Sequence, residues 1–440
     1  MRIGNGFTYI FLILAAALPT VLRAQSSSLN TFSPYTLYGI GDLHTQGPVE
    51  MRAMGGGGTA FQSPLILNNL NPASYSTFGQ KSFLFNVGLD GGNYYLRSQG
   101  SDGVMRKSSF NTFNISNISL GFPITRGLGF SVSLSPYSNV GYRIGRKETN
   151  PDILASIGQV TYTNVGEGSI NQIKAGFGLA ITKHISVGAE LVYLKGQINR
   201  MYDVTVTPVL TSGTYYSVTS SNYSDISRML PLFGAQWIVT ANRRRAFVAG
   251  ATYQMGTSLK AENYRYIPSN NIHNDIVADN LPLPSDDLKL PSVISAGLYY
   301  TTPKWSLTGD YKFQNWGVNT ASEYDYVKYV NTNSVRLGAQ LVPNRDNFRN
   351  ILNLWSYRAG LRYDQYYMQV HGKRVNEMAA TLGFGIPIKP GKGGSSINVG
   401  LEAGRRGSAK GGLVLENFFK ISLGLSLIGE DFWFVRPKYD

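Results

Sequence analysis

The sequence contains no cysteine and little charge. Only 15% of its 440 residues are charged, against roughly 25% in an average soluble protein. Without cysteine, the chain has no disulfide framework, no thiolate metal site and no thiol nucleophile. Aromatic residues make up 12% of the chain, which argues against disorder because disordered segments are poor in aromatic side chains.

Long hydrophobic runs are also missing, apart from one stretch at the start. Residues 1–24 have the pattern of a cleaved secretory signal: Arg2, an apolar stretch over 7–17, and Ala24 as a small residue before the expected cut. The stretch is short for a membrane helix and contains Pro19, so a membrane anchor is the less favoured alternative. Beyond residue 24 no apolar run reaches the ~18 residues that a membrane helix needs. We therefore expect an exported protein.

Most of the chain from residue 81 alternates between apolar and small polar residues. Ile185, Val187 and Leu191 share one face of a candidate strand, whereas Ser186 and Gly188 share the other. A period of two residues is typical of a β-strand. The second face carries Gly, Ser, Thr, Asn and Gln rather than the dense charge of a soluble sheet. This combination is typical of transmembrane barrel strands, which are apolar toward lipid and polar toward the lumen.

The alternation predicts an all-β fold, a transmembrane antiparallel β-barrel of about fourteen strands, since single-chain bacterial barrels have even strand numbers. A large soluble β-sandwich or propeller is the alternative, although no repeat of the ~40–50 residues typical of propeller blades is visible. Sixteen candidate segments are recognised: 81–91, 110–122, 127–145, 157–165, 170–182, 184–206, 214–226, 229–241, 245–266, 291–302, 304–316, 332–342, 356–369, 375–388, 395–405 and 416–428.

Residues 25–80 lack this alternation and contain loop and turn residues, among them Asn71-Pro72-Ala73. Irregular backbone at membrane depth must be buried in protein or line a cavity. We therefore predict that 25–80 forms a plug, or hatch, in the lumen of a barrel formed by 81–440. A periplasmic extension is the alternative. The Gly55–Gly58 run lacks the Lys-Ser/Thr that a phosphate-binding loop requires, so nucleotide binding is not expected.

Three stretches together resemble outer-membrane transporters of the long-chain fatty-acid type (FadL/TodX-like). They are Arg52 to Ala73 with its Asn-Pro-Ala motif, Leu290 to Trp316, and Tyr357 to Tyr363. The resemblance implies a fourteen-stranded barrel, an N-terminal hatch in the lumen and passage of hydrophobic molecules. It places the gate of the hatch at Asn71, Pro72 and Ala73.

The same family includes PorV-like barrels, which serve a protein secretion complex. The chain departs from the transporter pattern at both ends, with a longer Ser/Tyr/Gly-rich lead and a tail over 430–440. A non-conducting barrel that holds a secretion-system protein therefore stays open as the alternative function, and fatty-acid specificity is not carried over.

Pro136 lies inside the third candidate strand, in Ser133-Leu-Ser-Pro-Tyr-Ser138. Proline lacks an N–H and marks a bulge or kink within a sheet. In the resembled family, cargo is released at a kink in this strand. We interpret Pro136 as the mark of a lateral opening; a simple strand end at the outer interface is the alternative.

Catalysis and metal binding have weak support in the sequence. The four histidines, His44, His184, His273 and His371, have no acid and hydroxyl beside them in a motif, and the aspartates at 275, 279, 286 and 287 lack calcium-loop spacing. We expect no enzymatic activity, no metal, no cofactor and no nucleic-acid partner.

The remaining expectation concerns location and cargo. The net charge of +14 includes clusters at 243–245 and 405–406 that suit lipopolysaccharide phosphates. The leading interpretation is an outer-membrane barrel for passive uptake of small hydrophobic compounds, in contact with outer-membrane lipid and lipopolysaccharide.

Overall fold

The computed structural model describes most of the chain between residues 31 and 430. The described residues are 31–80, 82–100, 103–208, 218–242, 244–259, 261–266, 281–282, 288–320, 322, 324–345, 347, 349–388 and 394–430. The predicted signal at 1–24 and the tail beyond 430 lie outside them.

Fourteen antiparallel strands form a closed barrel, in which each strand pairs with its neighbours in sequence and the last pairs with the first. The all-β barrel expected from the alternation is confirmed. The strands are β1 Ser82–Gln99, β2 Met105–Thr125, β3 Leu128–Lys147, β4 Gly158–Ala180, β5 Ile185–Pro208, β6 Val218–Ala241, β7 Ala246–Gln254, β8 Val293–Thr301, β9 Trp305–Gln314, β10 Thr332–Leu341, β11 Ser356–Val370, β12 Lys373–Pro387, β13 Ser396–Arg406 and β14 Leu415–Glu430.

Sixteen segments were predicted, and two of the breaks between neighbouring segments were wrong. The segments 157–165 and 170–182 are one continuous strand, β4, and 214–226 and 229–241 both belong to β6. The breaks were predicted at polar residues inside these long strands. Those residues face the lumen or the rim, and the hydrogen-bonded ladder between strands continues past them.

Short elements lie before the first barrel strand and in the connections between strands. Odd-numbered strands end at what we call the upper end, where the longer connections lie; the turn at 126–127 marks the lower end. The helices are α1 Val49–Arg52 and α2 Pro151–Ser156, with 3-10 turns at Pro34–Leu37, Pro72–Thr77, Trp316–Val318 and Ile351–Leu354. Additional short strands are Asp42–Leu43, Thr257–Leu259, Ala261–Tyr266, Leu281–Pro282, Leu288–Leu290 and Val327–Tyr329. No helix in the described ranges is long and apolar enough to span a membrane.

The outward face of the barrel is apolar. Leu361 is 60% exposed, Phe113 59% and Trp237 54%, and all three point away from the lumen. Exposed apolar side chains on every strand suit a lipid environment, whereas a water-soluble chain would have to hide them.

Residues 31–80, here called the luminal segment, lie inside the barrel. Arg52 contacts Asp90 of β1, Asn71 contacts β6, and Tyr75 donates a hydrogen bond of 2.9 Å to Glu190 of β5. Contacts with opposite sides of the wall are made only by a segment that fills the lumen. The described chain therefore has its core inside the barrel, between the luminal segment and the inward-facing side chains.

Candidate functional site: the filled lumen and a gap in the wall

The barrel wall is interrupted between β2 and β3 in the described part of the chain. These strands pair from the lower turn up to Ile118 opposite Leu134, and the described ladder between them ends there. Above that point β2 continues to pair with β1, and β3 continues to pair with β4. The upper halves of β2 and β3 therefore separate and leave a lateral gap in the wall.

The luminal segment takes the place of β2 along the upper edge of β3. The short strand Asp42–Leu43 pairs antiparallel with Asn139 and Ser138. The backbone N–H of Ser33 donates to the carbonyl of Gly141 over 2.9 Å, so the attachment continues upward. The gap is thus closed by the luminal segment, without a β2–β3 ladder.

Pro136 stands at the base of this gap. The register between β3 and β4 shifts between Pro136 and Ser138, which makes Tyr137 a bulged residue. The Pro136 carbonyl accepts a hydrogen bond of 2.9 Å from Gln46 Nε2, and the Tyr137 carbonyl accepts one of 3.0 Å from the N–H of His44. The predicted kink residue therefore lies where β3 exchanges one partner strand for another.

The lumen wall beside the gap is apolar in its upper half. Inward-facing residues of a barrel are ordinarily polar, yet β3 to β6 present a buried apolar surface here. It packs against Tyr35 and Ile40 of the luminal segment. Its members include Val140, Ile170, Leu194, Ile198 and Ile226.

The opposite wall is charged. Arg362 of β11 pairs with Asp364 over 2.6 Å and with Glu402 over 2.7 Å, and it also contacts Glu377. Arg362, Glu377 and Glu402 are almost fully buried, and Asp364 is partly buried. A buried charge is tolerated only when it is paired and hydrogen-bonded, so this cluster is a fixed part of the core.

A second cluster links the charged wall to the luminal segment. Arg406 pairs with Asp42 over 3.0 Å and with Glu416 over 3.5 Å. Lower down, Arg52 pairs with Asp90 over 2.7 Å. Burial lowers the pKa of His44, and its Nε2 lies 3.4 Å from the Asp90 carboxylate. The luminal segment is therefore held to one side of the barrel by ion pairs.

Two cavities remain between the luminal segment and the wall, of about 120 and 100 Å³. Their lining is rich in charge, including Asp90, Lys312, Arg336 and Arg406. Neither provides an apolar path from one end of the described lumen to the other.

The glycine run of the luminal segment wraps around a carboxylate. The N–H of Gly58 donates to Asp310 of β9, and the N–H of Thr59 donates to the same carboxylate over 3.3 Å. Gly55 has φ +74°, and an added Cβ would lie 2.8 Å from two wall carbonyls. Glycine is required here because the backbone turns sharply against the wall. The run binds the chain's own carboxylate, in a manner similar to a backbone anion nest.

Asn71, Pro72 and Ala73 are buried at the lower end of the lumen. The Asn71 side-chain amide donates to the carbonyls of Thr59 over 2.7 Å and Ala235 over 3.2 Å, while its oxygen accepts from the N–H of Ala73. The structure thus places the motif as an attachment between the luminal segment and β6. That it works as a gate stays a prediction.

A row of glycines makes room for this attachment. Gly129, Gly178, Gly188 and Gly234 lie directly opposite one another across β3 to β6. A Cβ on Gly188 would lie 2.4 Å from the Pro72 carbonyl carbon. The row therefore forms a flat inner surface on which the Asn-Pro-Ala motif lies.

We expect Gly188→Val to dislodge the lower part of the luminal segment, because the new side chain overlaps the Pro72 backbone. Overpacking of this kind costs about 1–3 kcal/mol. Limited proteolysis of the purified barrel should cut within 62–78 in the variant and not in the parent. Gly145→Val is the matched control, since a Cβ there meets nothing within 4 Å. Equal protease resistance of both variants would contradict this assignment.

The remaining sequence candidates are dispersed. His184 lies in a lower turn and His371 in an upper one, where its ring stacks on Tyr326 with centroids 4.7 Å apart. His273 and the four loop aspartates lie outside the described residues. No trio of His, Asp or Glu side chains in the described ranges is arranged to hold a metal ion.

The cationic clusters divide between different surfaces. Arg244 and Arg245 lie at the lower end, whereas Arg405 points outward from β13 and Arg406 points into the lumen. Adjacent arginines in sequence therefore do not form one basic rim.

The fold is similar to that of solved transporter structures. The chain is similar to the Ralstonia pickettii toluene transporter TbuX, at 15% identity over 88% of this chain and 98% of that one, with a TM-score of 0.57. It is similar to the P. putida toluene transporter TodX, at 17% identity over 89% and 98%, with a TM-score of 0.56. A Pseudomonas aeruginosa FadL homologue gives 12% identity over 88% and 99%, with a TM-score of 0.53.

The fold is therefore that of the FadL/TodX-like outer-membrane barrels, as the sequence resemblance implied. The family model BamG matches residues 7–440, and the chain belongs to the BamG family. No curated protein matches the sequence.

Proposed function

We propose that the barrel takes up small hydrophobic compounds at its upper end and releases them sideways into the membrane. The observation that carries the proposal is the position of the wall gap. The seam that ends at Ile118 and Leu134 adjoins the apolar lumen wall of β3 to β6. A hydrophobic compound that reaches this wall can leave through the gap without entering the charged half of the lumen.

Release requires the upper luminal segment to move. Residues 31–46 are attached to β3 by a few backbone hydrogen bonds, such as that from Ser33 to Gly141, and to β13 by the Asp42–Arg406 ion pair. Each such bond contributes only about 0.5–1.5 kcal/mol net. The lower segment is held by the Asp310 cradle and by Asn71, both buried. We therefore place the moving part of the gate in residues 31–46, and we propose that Asn71, Pro72 and Ala73, the predicted gate residues, form its fixed base.

The direct test is uptake by vesicles that contain the purified full-length barrel. Labelled toluene and a labelled long-chain fatty acid serve as hydrophobic probes, and labelled glucose as the polar control. We expect the barrel to accelerate entry of one or both hydrophobic probes into the bilayer, with no effect on glucose. Glucose entry equal to that of the hydrophobic probes would indicate an open pore and would contradict lateral release.

A second function, a non-conducting barrel that holds a protein partner, is favoured by one observation. The charged half of the lumen is closed by buried ion pairs, and its cavity of about 120 Å³ is lined by charge. Native mass spectrometry of the barrel from its own membrane separates the two functions. A stoichiometric protein partner together with an empty lumen, and no hydrophobic uptake, would favour the holding function.

A further inference from the structure

Two cations face each other on the outward surface near the upper end of the barrel. Arg97 of β1 lies directly opposite Lys107 of β2, and both side chains are exposed. Directly opposite residues of an antiparallel pair have Cβ atoms about 4.5–5.5 Å apart, and like charges there are destabilising. No described carboxylate forms an ion pair with either residue.

A third cation extends this group. Arg405 of β13 points outward in the next row below, where Asn417 of β14 lies between it and Tyr95 of β1. Arg405 has no ion pair among the described residues either. Arg97, Lys107 and Arg405, here called the outer basic patch, therefore lack a counter-charge from the described protein.

The outward surface below the patch changes from charged to polar to apolar. The next row toward the membrane centre places Asn93 between Asn111 and Phe419, and the row after it places Gly91 between Phe113 and Ile421. Phe113 is 59% exposed and Ile421 45%. Because Gly91 has no side chain, the surface has a shallow groove between these two apolar residues.

We propose that this surface binds a phosphorylated glycolipid of the outer leaflet. The outer basic patch holds the headgroup phosphate, the two asparagines face the polar linkage region, and an acyl chain lies in the groove at Gly91. Along the strand, cations are followed by side-chain amides and then by hydrocarbon. Along such a lipid, the phosphate is followed by an amide or ester linkage and then by the acyl chain, so the two orders match. The lipid phosphate supplies the counter-charge that the Arg97–Lys107 pair lacks.

The binding test uses the purified, delipidated full-length barrel with lipid A, phosphatase-treated lipid A and inorganic phosphate as separate probes. Native mass spectrometry measures how much of the barrel carries bound lipid. The thermal midpoint of unfolding is measured from the loss of the β-sheet circular dichroism signal. Each cation near an anionic lipid surface contributes ~1 kcal/mol, or roughly five-fold in affinity. We expect lipid A to bind and to raise the thermal midpoint, phosphatase-treated lipid A to bind at least five-fold more weakly, and Lys107→Gln to weaken lipid A binding about five-fold.

Lys195→Gln is the matched control, because Lys195 is an exposed cation on β5 whose opposite residues are Asn171 and Ser227. It should leave lipid A binding unchanged. Equal loss in both variants would show that net charge alone attracts the lipid and would overturn the site. An equal effect of inorganic phosphate and lipid A would show a free-anion site and would overturn it as well.

Two further variants separate binding from folding. Lys107→Glu converts the like-charged pair into an ion pair, so we expect a higher thermal midpoint without lipid and no further rise with lipid A. Gly91→Phe fills the groove, where a Cβ would meet only one atom, at 3.9 Å. It should weaken lipid A binding while the barrel still folds. A lipid-dependent rise that persists in Lys107→Glu would contradict the proposal.

Discussion

A disulfide between cysteines at positions 43 and 138 is expected to stop hydrophobic uptake. Leu43 and Ser138 are direct partners in the short pairing that fills the wall gap. Since the natural chain has no cysteine, the double variant Leu43→Cys/Ser138→Cys carries only this thiol pair. When the pair is oxidised, residues 31–46 cannot leave β3. Toluene entry into vesicles should then fall to the level of protein-free vesicles, and a reductant should restore it.

The control pair is Ala249→Cys/Leu298→Cys, which links β7 and β8 where they already pair. This staple lies on the far side of the apolar wall from the gap and should leave uptake unchanged in both redox states. Full uptake with the staple at 43 and 138 closed would contradict movement of the luminal segment. Loss of uptake with both staples would point to an effect of oxidation itself.

Replacement of Arg362 by methionine is expected to destabilise the barrel more than any other single change considered. The guanidinium contacts the buried Glu377 and Glu402 and the partly buried Asp364. Its loss leaves carboxylates without a partner in the core, and breaking a buried pair in this way costs about 3–5 kcal/mol. Urea unfolding followed by tryptophan fluorescence, in one detergent for all variants, measures the difference.

Arg374→Met is the matched control on the neighbouring strand. Arg374 is exposed and its side chain donates to Gln365 over 2.8 Å, with no ion pair among the described residues. Exposed charges contribute little, so the cost should stay within about 0.5 kcal/mol. Similar unfolding curves for Arg362→Met and Arg374→Met would show that the luminal charges are not part of the folded core.

The strand pattern was predictable from the sequence because each barrel strand carries its own signal. In β5, Ile185, Val187 and Leu191 face lipid, whereas Ser186 and Gly188 face the lumen. This alternation needs no knowledge of the partner strands. The prediction failed where a strand such as β4 carries polar residues along its length, because composition alone does not show whether a ladder continues.

The arrangement inside the lumen could not be predicted in the same way. The N–H groups of Gly58 and Thr59 bind Asp310, which lies more than 250 residues later in the chain. The glycines 129, 178, 188 and 234 form a row only because of the strand registers. Pro136 is the one local sequence feature at this seam, and it does not show that the luminal segment replaces β2 there. That Pro136 marks a lateral opening stays a prediction.

On the proposed route, a hydrophobic compound occupies the apolar lumen beside the gap. Crystals of the barrel soaked in bromobenzene can show this compound, because anomalous scattering locates the bromine. We expect bromine peaks next to Val140, Ile170 and Leu194, and in the seam above Ile118. Bromine only on the outer lipid-facing surface, or in the charged half near Arg406, would contradict uptake and lateral release through this wall.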